Sequence, residues 1–102
     1  MKKNKRIDLT FCINILRTKY SFIKRKYYIK SMHIFGSVAR GDNNFNSDVD
    51  ILVAFTKTPS FFKLINMQNY ISDILQVKVD LVIEDALKPS MIKRVIKEKV
   101  KI

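Results

Sequence analysis

Two aspartates at the start of an apolar segment constrain the fold of this 102-residue chain more than any other feature. Asp48 and Asp50 stand immediately before the apolar residues 51–55, which we predict to be a β-strand. Side chains alternate between the two faces of a strand, so carboxylates at positions i and i+2 point to the same side. Two neighbouring carboxylates repel each other, and burying either one alone is costly. The pair therefore predicts a divalent cation such as magnesium, which takes oxygen ligands and keeps room for waters and substrate phosphates.

A short polar turn precedes the aspartates. Gly36 and Gly41, the only glycines of the chain, bracket a predicted tight turn that follows a first buried strand at residues 32–35. Gly36 lets the backbone approach a ligand closely, and free N–H groups in such a turn can bind phosphate. Ser37 adds a hydroxyl donor. Phosphate donors and metal-binding carboxylates a few residues apart suit a metal-bound nucleoside triphosphate.

A third aspartate interrupts another apolar run. Asp80 lies in the middle of residues 77–83, which we predict to be a third strand. A charged group within a strand core must be paired or bound to metal. If this strand lies beside the second one, Asp80 faces Asp48 and Asp50, and three carboxylates converge. The alternative is that Asp80 pairs with a lysine at the edge of the sheet.

These motifs together resemble the signature of the DNA polymerase beta-like nucleotidyltransferases. The matching residues are Gly36, Ser37, Arg40, Gly41, Ser47, Asp48, Asp50 and Asp80. Over about residues 29–100, the short chain is most similar to the minimal nucleotidyltransferases, the antitoxin halves of two-gene systems whose other half is a HEPN-family RNase. The resemblance implies an α/β (α+β) nucleotidyltransferase fold, a small mixed sheet flanked by helices.

The resemblance also implies an activity. This activity is the magnesium-dependent transfer of AMP from ATP to a protein hydroxyl of a HEPN-family RNase toxin. We expect the acceptor to be a tyrosine. The chain would then be the antitoxin of a type VII toxin–antitoxin system. Asp48 and Asp50 would hold two magnesium ions, and Asp80 would ligate the second ion and act as general base. Gly36 and Ser37 would hold the β- and γ-phosphates of the nucleotide.

Two residues of the motif keep alternative interpretations. Arg40 can contact phosphate, or it can brace the loop by pairing with Asp42 or with a carbonyl group. Ser47 can bind the nucleotide, or it can bond to the backbone and shape the turn. We count both among the candidate nucleotide-binding residues.

Other function classes stay open at this point. The chain can be an antitoxin that neutralises its partner by binding with little catalysis, or a small-molecule nucleotidyltransferase that needs a partner subunit for its acceptor site. Twenty Lys and Arg residues against nine Asp and Glu give a net charge of +11. Three explanations of this excess of positive charge stay open. They are drift in the amino-acid composition without a function, a partner with an acidic surface, and nucleic-acid binding. We do not expect direct nucleic-acid binding, because the charges are spread along the chain.

The predicted order of elements is helix, strand, strand, helix, strand, helix, in one domain that spans residues 1–102. The first helix covers residues 8–19, with a break before a second helical segment at residues 22–28. The middle helix begins at Ser60, and Phe61 lies on its apolar face, which Phe62 and Met67 widen as further core or as a patch for a partner. The last helix runs from Pro89 to Val100, with Ile92 and Ile96 on its inner face. We predict that residues 1–6 are disordered. The single cysteine, Cys12, excludes an internal disulfide and fits a cytoplasmic protein. It lies on the apolar face of the first predicted helix, where we expect it to pack in the core. We expect no membrane span, since no run approaches about eighteen apolar residues.

Overall fold

Four strands form one mixed sheet in the computed structural model, which describes residues 7–102. The prediction of disorder at residues 1–6 lies outside the described residues. The strands are β1 (Ile29–Phe35), β2 (Val49–Phe55), β3 (Val79–Ile83) and β4 (Val100–Lys101), and their order in the sheet is β3-β2-β1-β4. β1 runs antiparallel to both β2 and β4, whereas β2 and β3 are parallel. The prediction of a small mixed sheet flanked by helices is confirmed.

Two long helices cover one face of this sheet. They are α1 (Leu9–Tyr27) and α3 (Phe61–Leu75), and both begin at a side-chain cap. Asp8 accepts a hydrogen bond from the Phe11 N–H at 2.8 Å, and Ser60 accepts one from the Lys63 N–H at 3.1 Å. Such caps satisfy backbone donors that have no partner within the helix.

The predicted break in the first helix is wrong, since α1 is continuous from residue 9 to residue 27. Leu16, Ile23 and Tyr27 are all buried and keep helical spacing across the predicted break. Packing of this stripe against the sheet holds the helix together where local sequence preference alone is weak. Cys12 is fully buried in the same core, and burial raises the pKa of its thiol to about 12, which confirms its role as a packing residue.

The sheet separates a large apolar core from a small one. The large core lies under α1 and α3, and its strand residues are Ile29, Met32, Ile34, Val49, Ile51, Val53 and Val79. The small core lies on the opposite face, where Phe35 and Leu52 pack with Val95 from α4 (Pro89–Glu98). Because side chains alternate along a strand, the residues next to the large-core positions of β2 and β3 face α4.

The end of the chain differs from its prediction. α4 ends at Glu98, and residues 100–101 form β4 instead of a final helical turn. Val100 pairs with Ile34, and Lys101 pairs with His33. A two-residue strand is too short to show a period in the sequence, so only the presence of β1 beside it reveals it. Ile92 and Ile96, predicted on the inner face of this helix, are 40% and 59% exposed.

Two aromatic residues at the start of α3 are also more exposed than expected. Phe61 and Phe62 are 70% and 84% exposed, whereas Met67, which we placed with them on the apolar face, is fully buried. Among residues 7–102, no helix combines the length and the apolar character that crossing a membrane requires.

Candidate active site

The segment between the two glycines is a short helix and not only a tight turn. This helix, α2 (Gly36–Arg40), follows β1 directly. Gly36 has φ of +76° and Gly41 has φ of +80°, so both ends of α2 use the backbone region that favours glycine. The Gly41 N–H donates to the Ser37 and Val38 carbonyl oxygens at 2.9 and 3.2 Å. Val38 is buried, which fixes the segment to the core.

Gly36 lies against the side chain of Asp50. The register of the sheet explains this proximity, because Phe35 at the end of β1 pairs with Asp50 of β2. A Cβ atom on Gly36 would overlap the carboxylate oxygen Oδ2 of Asp50 and crowd the Asp50 Cβ atom at 3.2 Å. Only glycine therefore lets the turn and this carboxylate lie together.

Two of the predicted aspartates occupy adjacent positions of parallel strands. Asp50 of β2 pairs with Asp80 of β3, and both lie on the face of the sheet that α4 covers. Asp48 precedes the first residue of β2, so it stands at the entrance of the strand and not within it. The pKa of Asp50 is raised to about 6, first by burial and then by the nearby Asp80, Asp48 and Glu98 carboxylates, while Arg40 lowers it. Three neighbouring carboxylates therefore oppose the ionisation of Asp50, and the Arg40 cation favours it.

Sequence reasoning missed Glu98, the last residue of α4. Its side chain is only 8% exposed and accepts a hydrogen bond from the Gly36 N–H. Both of its carboxylate oxygens also accept from Nη1 of Arg40 at 3.1 Å. In the sequence, Glu98 stands between two lysines, and its i,i+4 spacing from Arg94 is the signal that could have indicated an ion pair. In the structure, Nε of Arg94 lies 3.7 Å from Oε1 of Glu98.

Arg40 braces the turn. Its Nε lies 3.0 Å from Oδ2 of Asp42, which is the pairing that we considered as one alternative, and Glu98 is a second acidic partner. The hydrogen bond to Asp42 is the largest of the interactions that raise the pKa of Arg40, so the guanidinium stays cationic. Within the part of the chain that the structure describes, no hydrogen bond uses its Nη2 group as a donor to a neighbour.

Ser47 shapes the loop before β2. Its hydroxyl oxygen accepts from the Asn44 N–H at 3.0 Å, and the Ser47 N–H donates to the Asn44 carbonyl oxygen at 3.2 Å. The side-chain oxygen of Asn44 accepts from the Asn46 N–H at 2.8 Å. These bonds correspond to the second interpretation of Ser47, in which it acts on the backbone of the turn.

A pocket of about 270 Å³ opens beside the turn. Its lining residues are Phe35, Gly36, Ser37, Arg40, Asp50, Asp80, Val82, Met91 and Arg94. Five of the residues that we predicted to bind the nucleotide or the metal therefore line this pocket. They are Gly36, Ser37, Arg40, Asp50 and Asp80. The volume is just below the usual range of small-molecule pockets, about 300–1,000 Å³. A whole nucleotide would extend beyond it, whereas a phosphate group with a cation would fit.

The carboxylates of the pocket suit magnesium. No group of three or more His, Cys, Asp or Glu side chains within residues 7–102 is gathered closely enough to hold an ion alone. Magnesium does not need one, because it is usually bound by one or two carboxylates with waters and substrate phosphates. Asp50 and Asp80 supply such a pair, and a cation would offset the repulsion that raises the pKa of Asp50. The role of Asp48 as a further ligand stays a prediction.

Sequence comparisons identify relatives over most of the chain. A family model described as a nucleotidyltransferase domain matches residues 16–102. A protein of Methanocaldococcus jannaschii, provisionally named a protein adenylyltransferase, is 47% identical over 85 residues, which are 83% of this chain and 87% of the relative. The protein adenylyltransferase MntA of Thermococcus cleftensis is 35% identical over 85 residues, which are 83% of this chain and 86% of the relative.

Solved structures share the fold. One described provisionally as a minimal nucleotidyltransferase superposes with a TM-score of 0.78 and 28% identity, over 96% of this chain and 99% of that chain. A Shewanella oneidensis complex, described as a tri-AMPylated HEPN toxin with an MNT antitoxin, superposes with a TM-score of 0.65 over 88% of this chain and 70% of that chain. Its identity is 15%, so it shows a common fold alone. The chain belongs to the nucleotidyltransferase domain family and is a transferase of the minimal nucleotidyltransferase type.

Proposed function

We propose that this chain transfers AMP from ATP to a tyrosine hydroxyl of a HEPN-family RNase toxin and thereby acts as an antitoxin. The observation that carries the proposal is the shared pocket in which the glycine turn meets the cross-strand pair of Asp50 and Asp80. Two relatives are named protein adenylyltransferases, and one solved neighbour is a complex of an AMPylated HEPN toxin with an MNT antitoxin.

The carboxylates hold magnesium in this proposal. Asp50 and Asp80 are the central ligands, and Asp48 completes the set from the entrance of β2. The bound metal would supply neutralisation of the phosphate charge and a lower pKa of the acceptor hydroxyl. ATP is the substrate, and its triphosphate lies along the turn, where Ser37 and Arg40 line the pocket.

The structure changes one detail of the phosphate contacts that we predicted. The N–H group of Gly36 donates to Glu98, so that donor is already engaged. The Ser37 hydroxyl and the cationic Arg40 therefore carry phosphate binding in this proposal. Gly36 contributes through its lack of a side chain, which leaves space for Asp50 beside the turn.

The proposed reaction is an in-line displacement at the α-phosphorus. The acceptor oxygen forms a bond to this phosphorus while the bond between the phosphorus and the oxygen that bridges to the β-phosphate breaks. Pyrophosphate leaves with the electron pair of that bond, and the proton of the acceptor hydroxyl passes to the Asp80 carboxylate. Positioning and charge stabilisation supply most of the acceleration in reactions of this kind.

The experiment incubates the purified chain with magnesium, α-labelled ATP and the HEPN-family protein encoded beside it, followed by intact mass spectrometry. We expect one or more AMP units on a tyrosine of the partner. Transfer should disappear without magnesium and in the double variant Asp48→Ala with Asp50→Ala. Asp73→Ala is the matched control, because this exposed aspartate lies on α3, in the layer that covers the other face of the sheet.

Two outcomes would contradict the proposal. If none of the four nucleotides supports transfer while the chain still binds its partner tightly, the chain neutralises its partner by binding. If a small molecule accepts AMP only when a partner subunit is present, the acceptor class is wrong. Protection of cells by the double aspartate variant would also favour binding over catalysis.

A further inference from the structure

Glu98 is a nearly buried carboxylate whose contacts all lie at the candidate site. It accepts from the Gly36 N–H and from Arg40, and it forms an ion pair with Arg94. It also lies close enough to raise the pKa of Asp50. A nearly buried carboxylate close to Asp50 is unfavourable by itself, so its position requires the donors that surround it.

The backbone holds Glu98 from both sides. One turn before it, Val95 is buried in the small core, and the Lys99 N–H donates to the Val95 carbonyl oxygen at 2.9 Å. Immediately after it, residues 100–101 pair with β1, and Nη2 of Arg17 donates to the Lys101 carbonyl oxygen at 3.0 Å. The carboxylate is therefore presented at a defined place beside Gly36, the residue that follows β1.

Glu98 helps to fix the orientation of the Arg40 guanidinium. Glu98 holds Nη1 and Asp42 holds Nε, so two sides of the planar guanidinium are occupied. Its Nη2 group makes no hydrogen bond to a described residue, and Arg40 lines the pocket with Ser37. A guanidinium held at two of its nitrogens can present the third to a phosphate with little further loss of side-chain freedom.

We propose that Glu98 is a positioning residue for nucleotide binding, which fixes Gly36 and orients Arg40 so that its Nη2 group meets the phosphates of ATP. This inference rests on the proposed function. The geometry favours a fixed brace over a mobile gate, because α4 and β4 hold Glu98 on both sides.

The test compares Glu98→Gln with the unsubstituted chain. Glutamine keeps one oxygen for the Gly36 N–H, but it removes the charge and one acceptor from Arg40. The measurements are the dissociation constant of a non-hydrolysable ATP analogue with magnesium, and KM for ATP and kcat at saturating partner. We expect the dissociation constant and KM to rise about tenfold, with kcat changing less than threefold. Glu84→Gln is the matched control, because it changes an exposed glutamate to glutamine.

A double-mutant cycle separates positioning from general stability. If Glu98 acts through Arg40, Glu98→Gln should change KM less than twofold in an Arg40→Gln background. Arg40→Lys, which keeps the charge and loses the fork, should resemble Glu98→Gln. Glu98→Asp, which keeps the charge on a shorter side chain, should restore part of the affinity. Should Glu98→Gln fail to fold, Arg40→Lys tests the same contact.

Three results would overturn the inference. Tighter ATP binding by Glu98→Gln would mean that Glu98 competes with the phosphates. Unchanged KM would mean that it only stabilises the fold, and additive effects in the cycle would mean that it does not act through Arg40. If the unsubstituted chain neither binds nor transfers the nucleotide, the proposed function itself fails, which is a distinct outcome.

Discussion

The two faces of the sheet differ in what they bury. The face under α1 and α3 is a continuous apolar core, whereas on the face under α4 the buried apolar core within residues 7–102 consists of Phe35, Leu52 and Val95, with Asp50 and Asp80 beside it. Alternation along β2 produces the difference, since Ile51 lies on the first face and Asp50 on the second. One strand thus supplies stability on one side and the carboxylates of the candidate site on the other.

The two faces of the sheet also differ in how they contribute to the free energy of folding. Apolar burial on the α1 and α3 face supplies most of the driving force. On the α4 face, burial and the neighbouring carboxylates raise the pKa of Asp50, so ionisation of Asp50 opposes folding. We therefore expect truncation of a buried apolar side chain under α1 and α3 to destabilise the chain, and neutralisation of Asp50 on the α4 face to stabilise it when metal is absent.

The largest expected effect is on the apolar face. Ile71→Ala removes a side chain that is fully buried in α3, and it should lower the free energy of unfolding by about 2–5 kcal/mol. Ile96→Ala makes the same chemical change on α4 at a side chain that is 59% exposed, and it should cost less than about 1 kcal/mol. Urea denaturation of both variants measures the difference. Equal losses would show that the two faces do not differ in this way.

The next effect compares Gly36, the first residue of α2, with Gly41, which caps its C-terminal end. Gly36→Ala should cost about 2–4 kcal/mol, because the added Cβ overlaps Asp50 and φ is positive. Gly41→Ala has the same positive φ but no atom within 4 Å of the added Cβ, so about 1 kcal/mol is expected. Thermal unfolding and transfer activity should both separate the variants. A similar loss in each would mean that backbone strain alone decides, and that contact with Asp50 does not matter.

On the face that α4 covers, removal of the Asp50 charge is expected to raise the free energy of unfolding. The pKa of Asp50 rises from 3.8 to about 6 on folding, so the folded state keeps this proton to a higher pH than the unfolded state. Stability is therefore lost as pH rises from about 4 to about 6. Without metal at pH 8, Asp50→Asn should stabilise the chain by about 1–2 kcal/mol after allowance for solvent screening, and this gain should vanish below about pH 4.

Metal-free urea denaturation at several pH values tests this sign. Asp73→Asn, which makes the same chemical change at an exposed aspartate of α3, is the matched control substitution. A loss of stability in Asp50→Asn at pH 8 would contradict the interpretation that like charges crowd Asp50.

The smallest effect lies at the edge of the apolar face. The buried Tyr27 hydroxyl donates to Oδ1 of Asn66 at 2.6 Å. Tyr27→Phe should cost about 0.5–1.5 kcal/mol, since it removes this bond and keeps the packing of the ring. A double-mutant cycle with Asn66→Ala measures the pair. A coupling energy near zero would show that solvent replaces the bond fully.

Much of the fold and part of the site follow from local patterns. Apolar periodicity predicted α1, α3, α4 and the strands β1, β2 and β3, but neither β4 nor α2, which we predicted as a tight turn. The spacing of Asp48, Asp50 and Asp80 pointed to metal chemistry beside a phosphate-binding turn. The break in the first helix was wrong because packing in the core overrides weak local preference. The exposure of Phe61 and Phe62 was also missed, because apolar character alone does not say which side of a helix meets the core.

The residues that can carry the chemistry are evident from the sequence alone, because carboxylates, glycines and strand alternation are local properties. The shared register of Asp50 and Asp80 and the contact of Glu98 with Gly36 depend instead on how the chain folds in three dimensions. The latter contact joins residues 62 positions apart. No periodicity encodes such a contact, since it depends on where α4 ends and on the pairing of β4 with β1.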